Sequence, residues 1–278
     1  MTAAAPERGY VFAATGEGYT ALAARAAETL RAAAPNAAID LYTDRLDAGG
    51  PFDAVHRLDD AFFRPKFEAL LRSRFHRSVY LDADVWVVAD PSDVFDLLDR
   101  FDLALAHDPY RATEHATTPW RRPLPAAFPQ YNSGVIGARR SPATEALWRA
   151  VVAGVRGGVA RDQGVLRECL WESDLRIATL PEEYNLMGLR ALNVMSSDTA
   201  APRVIHSPRL HATFRRNRAA VRTLSDLLGP RAAAQVGRLV ASDLTLGGDG
   251  RRVRPLIRRG AMDAVSYAAG LIRGRFER

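Results

Sequence analysis

Tyr80-Leu81-Asp82-Ala83-Asp84-Val85-Trp86 sets two carboxylates, one residue apart, directly after the apolar run Ser78-Val79-Tyr80-Leu81. A short apolar run ended by turn-forming acids reads as a buried strand. Val85 to Val88 resumes a strand, and Asp90-Pro91 opens a helix over Ser92 to Leu98. Two carboxylates at one strand tip can hold a hard divalent cation such as Mg²⁺ or Mn²⁺, with phosphate oxygens completing its shell. A strand-end turn and a helix cap are the alternative use of the same side chains.

The pattern repeats in both directions from this stretch. Tyr10 to Ala14 reads as a strand broken by Thr15-Gly16-Glu17-Gly18, and Ala21 to Ala34 as a helix stopped by Pro35. Ala38 to Tyr42 is a strand ended by Thr43-Asp44, and Lys66 to Arg74 a helix after Pro65. Downstream, Leu103 to Ala106 and Ser133 to Ala138 read as strands, and Pro142 to Val155 and Asp162 to Trp171 as helices. Strands follow at Arg176 to Leu180 and Arg203 to Ile205. Apolar strands alternating with helices imply an α/β fold with a mostly parallel sheet covered on both faces. Ligands of such sheets sit at the carboxyl ends of the strands. The polar clusters Thr15–Gly18, Thr43-Asp44, Asp82–Asp84 and His107-Asp108 fall there. Residues 109–130 carry five prolines and read as a loop over that end.

Composition narrows the classes further. The 278 residues are 47% hydrophobic and 25% charged, which excludes a disordered or collagen-like chain. Cys169 is the only cysteine, so an intramolecular disulfide and a cysteine zinc site are excluded. No apolar run reaches the roughly 18 residues of a membrane span, and Met1 to Arg8 lacks the layout of a signal peptide. The expected location is the cytoplasm. Lys66 is the only lysine beside 37 arginines, a usage typical of GC-rich bacterial coding. Residues 209–278 hold 15 arginines against 5 acids, while the rest hold 23 basic and 27 acidic residues. The expected division is therefore a domain over 1–208 and a basic, mainly helical extension over 209–278.

Three more clusters bear on chemistry. Gln130-Tyr131-Asn132-Ser133-Gly134-Val135-Ile136 carries a polar pair into a strand, with a glycine that permits close approach of a ligand or another backbone. Arg161-Asp162-Gln163-Gly164 opens a helix, where Asp162 is either an N-cap or a sugar-hydroxyl acceptor. Val204-Ile205-His206-Ser207 places a histidine after a strand, either structural or a third ligand to a cation at Asp82 and Asp84.

The order Leu-Asp-x-Asp, Asn-Ser-Gly-Val, Asp-Gln-Gly, Ile-His resembles the GT-A type glycosyltransferases, over residues 8–208. Within them it is most similar to the glycogenin-like and nucleotide-diphospho-sugar transferase branches. The resemblance implies metal-dependent sugar transfer from a nucleotide-diphosphate sugar to an acceptor hydroxyl, with retention, of the hexosyltransferase type. It implies Mn²⁺ or Mg²⁺ at Asp82, Asp84 and His206, with Asp82 also near the ribose. It places Thr15, Tyr19 and Asp44 at the nucleoside and Lys66 facing the nucleotide. It places Asn132 and Ser133 near the donor sugar, and Asp162 and Gln163 closest to the reacting carbon. A UDP-sugar is the first expectation and a GDP-sugar the next, with a glycan, a lipid-linked glycan or a small molecule as acceptor. The residues 109–130, with His115, Trp120 and Arg121, are expected against that acceptor. The family's His-x-x-Gly-x-x-Lys-Pro-Trp signature is absent: Ser207-Pro208-Arg209-Leu210-His211 follows His206, and Arg209 or Arg215 is the expected replacement for the lysine.

Two other classes have sequence signatures to compare. A sugar-phosphate nucleotidyltransferase grips a triphosphate with a basic glycine-rich loop, whereas Thr15 to Thr20 carries an acid and no basic residue. A non-catalytic polyanion-binding protein would work through Arg215-Arg216-Asn217-Arg218 and the run Arg251 to Arg259. Phe214, Tyr267 and Phe276 are the only aromatics of 209–278, too few for stacking on nucleic acid. Interleaved Leu256, Ile257, Met262, Val265, Leu271 and Ile272 suit peripheral contact with an anionic membrane, such as the inner face of the cell membrane; a helical flank packed on the sheet, with solvated arginines, is the alternative.

Overall fold

The computed structural model describes residues 6–58, 64–158, 161–211 and 221–257. Phe214 to Arg218 and the basic end from Arg258 lie outside the described residues. Contacts divide the chain into two compact units, one running to Met187 and resuming at Arg203, the other made of Gly188–Pro202 and the stretch from Val221. This partition differs from a single cut after residue 208, because a segment before Arg203 joins the later part of the chain.

The first unit is built on a seven-stranded sheet. Its strands are β1 (Arg8–Ala14), β2 (Ile39–Thr43), β3 (Ala54–Arg57), β4 (Arg77–Leu81), β6 (Leu103–His107), β7 (Tyr131–Arg139) and β8 (Ile177–Leu180), in the order β3-β2-β1-β4-β7-β6-β8. A separate antiparallel pair joins β5 (Val85–Val87) to β9 (Val204–His206). Four sheet pairings are parallel, and β7 alone runs against its neighbours β4 and β6. Strands buried on both faces explain the unbroken apolar runs: Tyr10, Val11, Phe12, Val79, Tyr80 and Leu81 are all nearly inaccessible.

Helix α1 (Gly16–Ala33) lies against β1, β2 and β5. It buries Leu22, Ala23, Ala26, Ala27 and Leu30, a stripe whose small side chains allow close approach to the sheet. The helix starts at Gly16, within the segment expected to be a loop. The reason is Asp44, whose Oδ1 accepts the Gly16 N–H at 2.9 Å and satisfies the helix end from outside. Helices α2 (Lys66–Arg72), α5 (Pro142–Arg156) and α6 (Asp162–Trp171) pack in series, α2 on α5 and α5 on α6. Two single turns, α3 (Val94–Leu97) and α4 (Glu114–Thr117), are also helical. The start of α5 follows from Ser141 and Thr144, which form a reciprocal capping box ahead of Pro142.

In the second unit, helix Pro230–Ser242 buries Val236 and Leu239, and Leu239 clusters with Ala201 and Val253. The fully buried Gln235 donates to the carbonyls of Met195 and Arg254. Among the described residues no helix is long and apolar enough to cross a membrane.

Candidate functional site

The sheet order reverses between β1 and β4, and a crevice forms at such a point outside the carboxyl ends of the strands. A cavity of about 510 Å³ lies there, lined by Ala13, Ala14 and Thr15 from the end of β1 and by Tyr80 and Asp82–Asp84 from the end of β4. Tyr19, Lys66 and His211 complete its polar wall. A second cavity of about 320 Å³ is lined by Asp108, Asn132, Ser133, Asp162 and Gln163. Arg64, Lys66 and Asp82 line both, so the two spaces meet at these side chains.

The way β7 pairs explains how its polar residues reach the site. Leu105 pairs with Ile136, but Ala106 pairs with Asn132, so Ser133, Gly134 and Val135 are displaced from the β6 ladder. On the other side the Asp82 N–H donates to the Gly134 carbonyl at 2.9 Å, one residue beyond the end of β4. One ligand atom from each of Asp82, Asp84 and His206 lies within 4.8 Å of the others. His206 sits on β9, whose pairing with β5 sets His206 opposite Val85, next to Asp84. Its ring covers Gly134: a Cβ there would stand 2.4 Å from His206 Cε1 and Nδ1. The glycine of the Asn-Ser-Gly-Val motif is thus required by the His206 side chain, which leaves no room for a Cβ.

Charge is balanced tightly around the cluster. Lys66 Nζ, buried at the start of α2, lies 2.8 Å from Asp82 Oδ1 and donates to Ser133 Oγ and the Ser133 carbonyl at 3.1 Å each. Tyr80 donates its hydroxyl to Asp82 Oδ1 at 2.7 Å; burial, with the Asp82 charge, holds the phenol well above its ordinary range, so it stays a donor. Burial works to raise the Asp84 carboxyl, but His206 and His211 outweigh it and hold the carboxyl well below the usual range. Asp84 Oδ1 is 3.2 Å from His206 Nε2, and Oδ2 is 2.5 Å from His211 Nε2. Burial also works to raise Asp162, and Lys66, Arg64 and the Ser133 hydroxyl together keep it depressed. Arg64 Nε is 3.2 Å from Asp162 Oδ1, and Ser133 Oγ donates to Oδ2 at 2.9 Å.

The expected site residues divide by location. Thr15, Tyr19, Lys66, Asp82 and Asp84 line the first cavity, and Asn132, Ser133, Asp162 and Gln163 the second. His206 joins the acid cluster behind the first. Asp44 lines neither; its carboxylate is engaged by Gly16. In the 109–130 segment, Tyr110, Thr113 and Ala116 line the second cavity. Trp120 instead packs on the hydrophobic core and Arg121 binds Glu168, because Glu168 is buried and takes the Arg121 N–H and Nε as donors. These two fasten the segment to α6. Arg209 is exposed and Arg215 lies outside the described residues; His211 is the side chain of that region that lines the cavity.

Four residues of the site escaped the sequence reading of roles: Arg64, Asp108, Asn185 and His211. Asp108 was visible as a polar residue after a strand. It accepts from Gln163 Nε2 at 2.9 Å and from the Tyr110 N–H at 2.8 Å, joining α6 to the 109–130 segment.

The sheet and its flanking helices have a GT-A type fold. The chain is similar to the galactosyltransferase LgtC, solved in complex with donor and acceptor sugar analogs: TM-score 0.51 at 17% identity, over 83% of this chain and 96% of LgtC. It is similar to the glycosyltransferase GlyE of Streptococcus pneumoniae TIGR4, with TM-score 0.56 at 16% identity, over 84% of this chain and 63% of GlyE. An active-site glutamine-to-glutamate mutant of LgtC matches with TM-score 0.51 at 17% identity. What is shared at these identities is the fold. No protein-family model and no curated protein sequence matches the chain.

Proposed function

We propose that this protein is a metal-dependent glycosyltransferase that moves a sugar from a nucleotide-diphosphate sugar to an acceptor hydroxyl with retention, as in the glycogenin-like branch. The observation that carries the reading is the convergence of Asp82, Asp84 and His206 beside a 510 Å³ cavity at the switch point of a GT-A sheet. Two carboxylates and one imidazole are a donor set suited to Mn²⁺ or Mg²⁺. When bound, such an ion stabilises the negative charge that builds on a departing diphosphate.

The chain's own residues take the remaining roles. Tyr19 and Thr15 face the nucleoside of a UDP-sugar, with a GDP-sugar as second choice. Asn132 and Ser133 border the space for the donor sugar. Asp162, kept ionised, accepts from a sugar hydroxyl, and Gln163, held by Asp108, faces the anomeric carbon. The sugar–phosphate C–O bond breaks, the acceptor oxygen bonds to the same carbon, and the acceptor proton passes to the leaving phosphate. Tyr110, Thr113 and Ala116 border the acceptor, a glycan, lipid-linked glycan or small molecule. That LgtC was solved with donor and acceptor sugar analogs supports assigning the second space to the transferred sugar and the acceptor together.

The test is a thermal-shift panel of UDP and GDP with and without Mn²⁺, since a ligand of the folded state raises stability by mass action. Wild type is expected to respond to nucleotide only with the ion, and Asp84→Asn to lose that response. A Mn²⁺-dependent response retained by the Asp82→Ala, Asp84→Ala double variant would overturn the assignment.

A further inference from the structure

A chain of hydrogen bonds runs behind the acid–histidine cluster, and one backbone amide fixes the direction of every link. The Gly134 N–H is a donor only, and it donates to Asn132 Oδ1 at 2.9 Å. Asn132 therefore presents its oxygen to this point. Asn185 Nδ2 donates to the same oxygen at 3.0 Å, which turns the Asn185 oxygen the other way. Asn185 Oδ1 stands 2.9 Å from His206 Nδ1. An amide oxygen only accepts, so the proton of this last bond belongs to His206 Nδ1. The Asn132 Nδ2 group lies 3.4 Å from Asp108 Oδ2, an acceptor, consistent with the same orientation.

We propose that Asn185 is a positioning residue: it holds the His206 proton on Nδ1 and turns the Nε2 lone pair toward Asp82 and Asp84, ready for a divalent cation. The proposal rests on the metal reading above and adds a residue to it. Metal-ligating histidines depend on a partner at the second ring nitrogen, which sets both tautomer and ring orientation. Here that partner is built in. Asn185 is 1% exposed and His206 6%, so water does not substitute for either. The backbone carries Asn185 to its place: the Leu186 N–H donates to the Val204 carbonyl, and the His206 N–H donates to the Leu186 carbonyl. The ring also lies against Gly134, where a Cβ would stand 2.4 Å from Nδ1 and Cε1. A half-turn of the ring would set a C–H against Asn185 Oδ1 and turn Nε2 from the acids.

The experiment uses the full chain. Mn²⁺ is titrated into wild type, Asn185→Leu and Asn185→Asp, with free Mn²⁺ followed by electron paramagnetic resonance. Leu matches the size of Asn and lacks the acceptor, so Mn²⁺ affinity is expected to fall about 10–100-fold. Asp keeps an acceptor for Nδ1 but sets an oxygen against Asn132 Oδ1 where Asn185 places a donor, so its Mn²⁺ affinity is expected to fall less than that of Asn185→Leu. In parallel, ¹H–¹⁵N spectra of the metal-free protein report a slowly exchanging proton on His206 Nδ1, expected in wild type and lost in Asn185→Leu. Unchanged Mn²⁺ affinity in a folded Asn185→Leu variant overturns the proposal. So does a wild type without the Nδ1 proton, a result that stands even if the Leu variant fails to fold. A wild type that carries the proton yet binds no Mn²⁺ sinks the metal reading and not the ring assignment.

Discussion

His211 Nε2 lies 2.5 Å from Asp84 Oδ2, and its Nδ1 lies 3.2 Å from the Tyr19 hydroxyl, with the two rings edge to face at 5.2 Å. Asp84 thus has an imidazole on each carboxylate oxygen. His206, on β9, belongs to the acid cluster, whereas His211 stands in the cavity wall. A cation held by Asp84 would compete with His211 for Oδ2 and would leave the Nε2 donor to a phosphate oxygen. His211→Ala is expected to weaken nucleotide-diphosphate binding about tenfold, the scale of one charge-assisted hydrogen bond. Mn²⁺ binding without nucleotide should be retained. Calorimetric titrations of the variant with Mn²⁺ and then with UDP separate the two effects.

The architecture was legible where burial is two-sided. Tyr10–Ala14, Leu103–Ala106 and Val79–Leu81 carry continuous apolar runs because helices or loops cover both faces of the sheet. The edge strand β3 escaped the reading, since Ala54–Arg57 is short, only partly buried and set after a glycine- and proline-containing turn. The cluster of Asp82, Asp84 and His206 was legible because Asp82 follows one strand, Asp84 precedes the next and His206 ends a third. Asn185 and His211 were not: one sits in a turn after a 3-10 helix and the other in the segment after β9. Only tertiary packing brings Asn185 to His206 and His211 to Asp84. Asp44 shows the opposite case, a polar strand-end residue whose local role is to satisfy a helix terminus.

Lys66 bears the charge balance of the site. Its ammonium is 2.8 Å from Asp82 and 4.0 Å from Asp162, with side-chain exposures of 7%, 21% and 5% respectively. Removing a buried partner leaves carboxylates uncompensated. Lys66→Met is expected to cost about 3 kcal/mol, the lower end for a broken buried pair, since Asp82 keeps some contact with water. Urea denaturation of wild type and variant measures it; equal midpoints and slopes would show that the lysine is dispensable to the folded state.

Gly134 has no room for a side chain. A Cβ would meet the His206 ring at 2.4 Å and Asn132 Oδ1 at 2.9 Å. Gly134→Ala must therefore push the ring from the acids or shift β7, at a cost of about 1–3 kcal/mol for overpacking. A folded variant is expected to have lost Mn²⁺ binding while keeping its far-UV spectrum. Full Mn²⁺ affinity in Gly134→Ala would mean that the ring has another resting place.

Glu168 supplies a pH dependence remote from the acid–histidine cluster. Burial works to raise its carboxyl, and hydrogen bonds from the Arg121 N–H and guanidinium and the Arg122 N–H overcome this and depress it. A depressed folded-state value means that the carboxylate form is the stabilising one. Its contribution is complete above the unfolded-state value, about 4.3 for glutamate, and disappears as pH falls through the lower folded value. Glu168→Gln is expected to lose about 1–2 kcal/mol at neutral pH, less than a fully buried pair because Arg121 is half exposed. The gap between the two melting curves should then close as the pH falls below about 4.3, because protonation makes the wild-type side chain as neutral as glutamine. Melting temperatures of both proteins across the acid range decide it: a gap that stays constant would locate the wild-type contribution in packing and not in the ionised carboxylate.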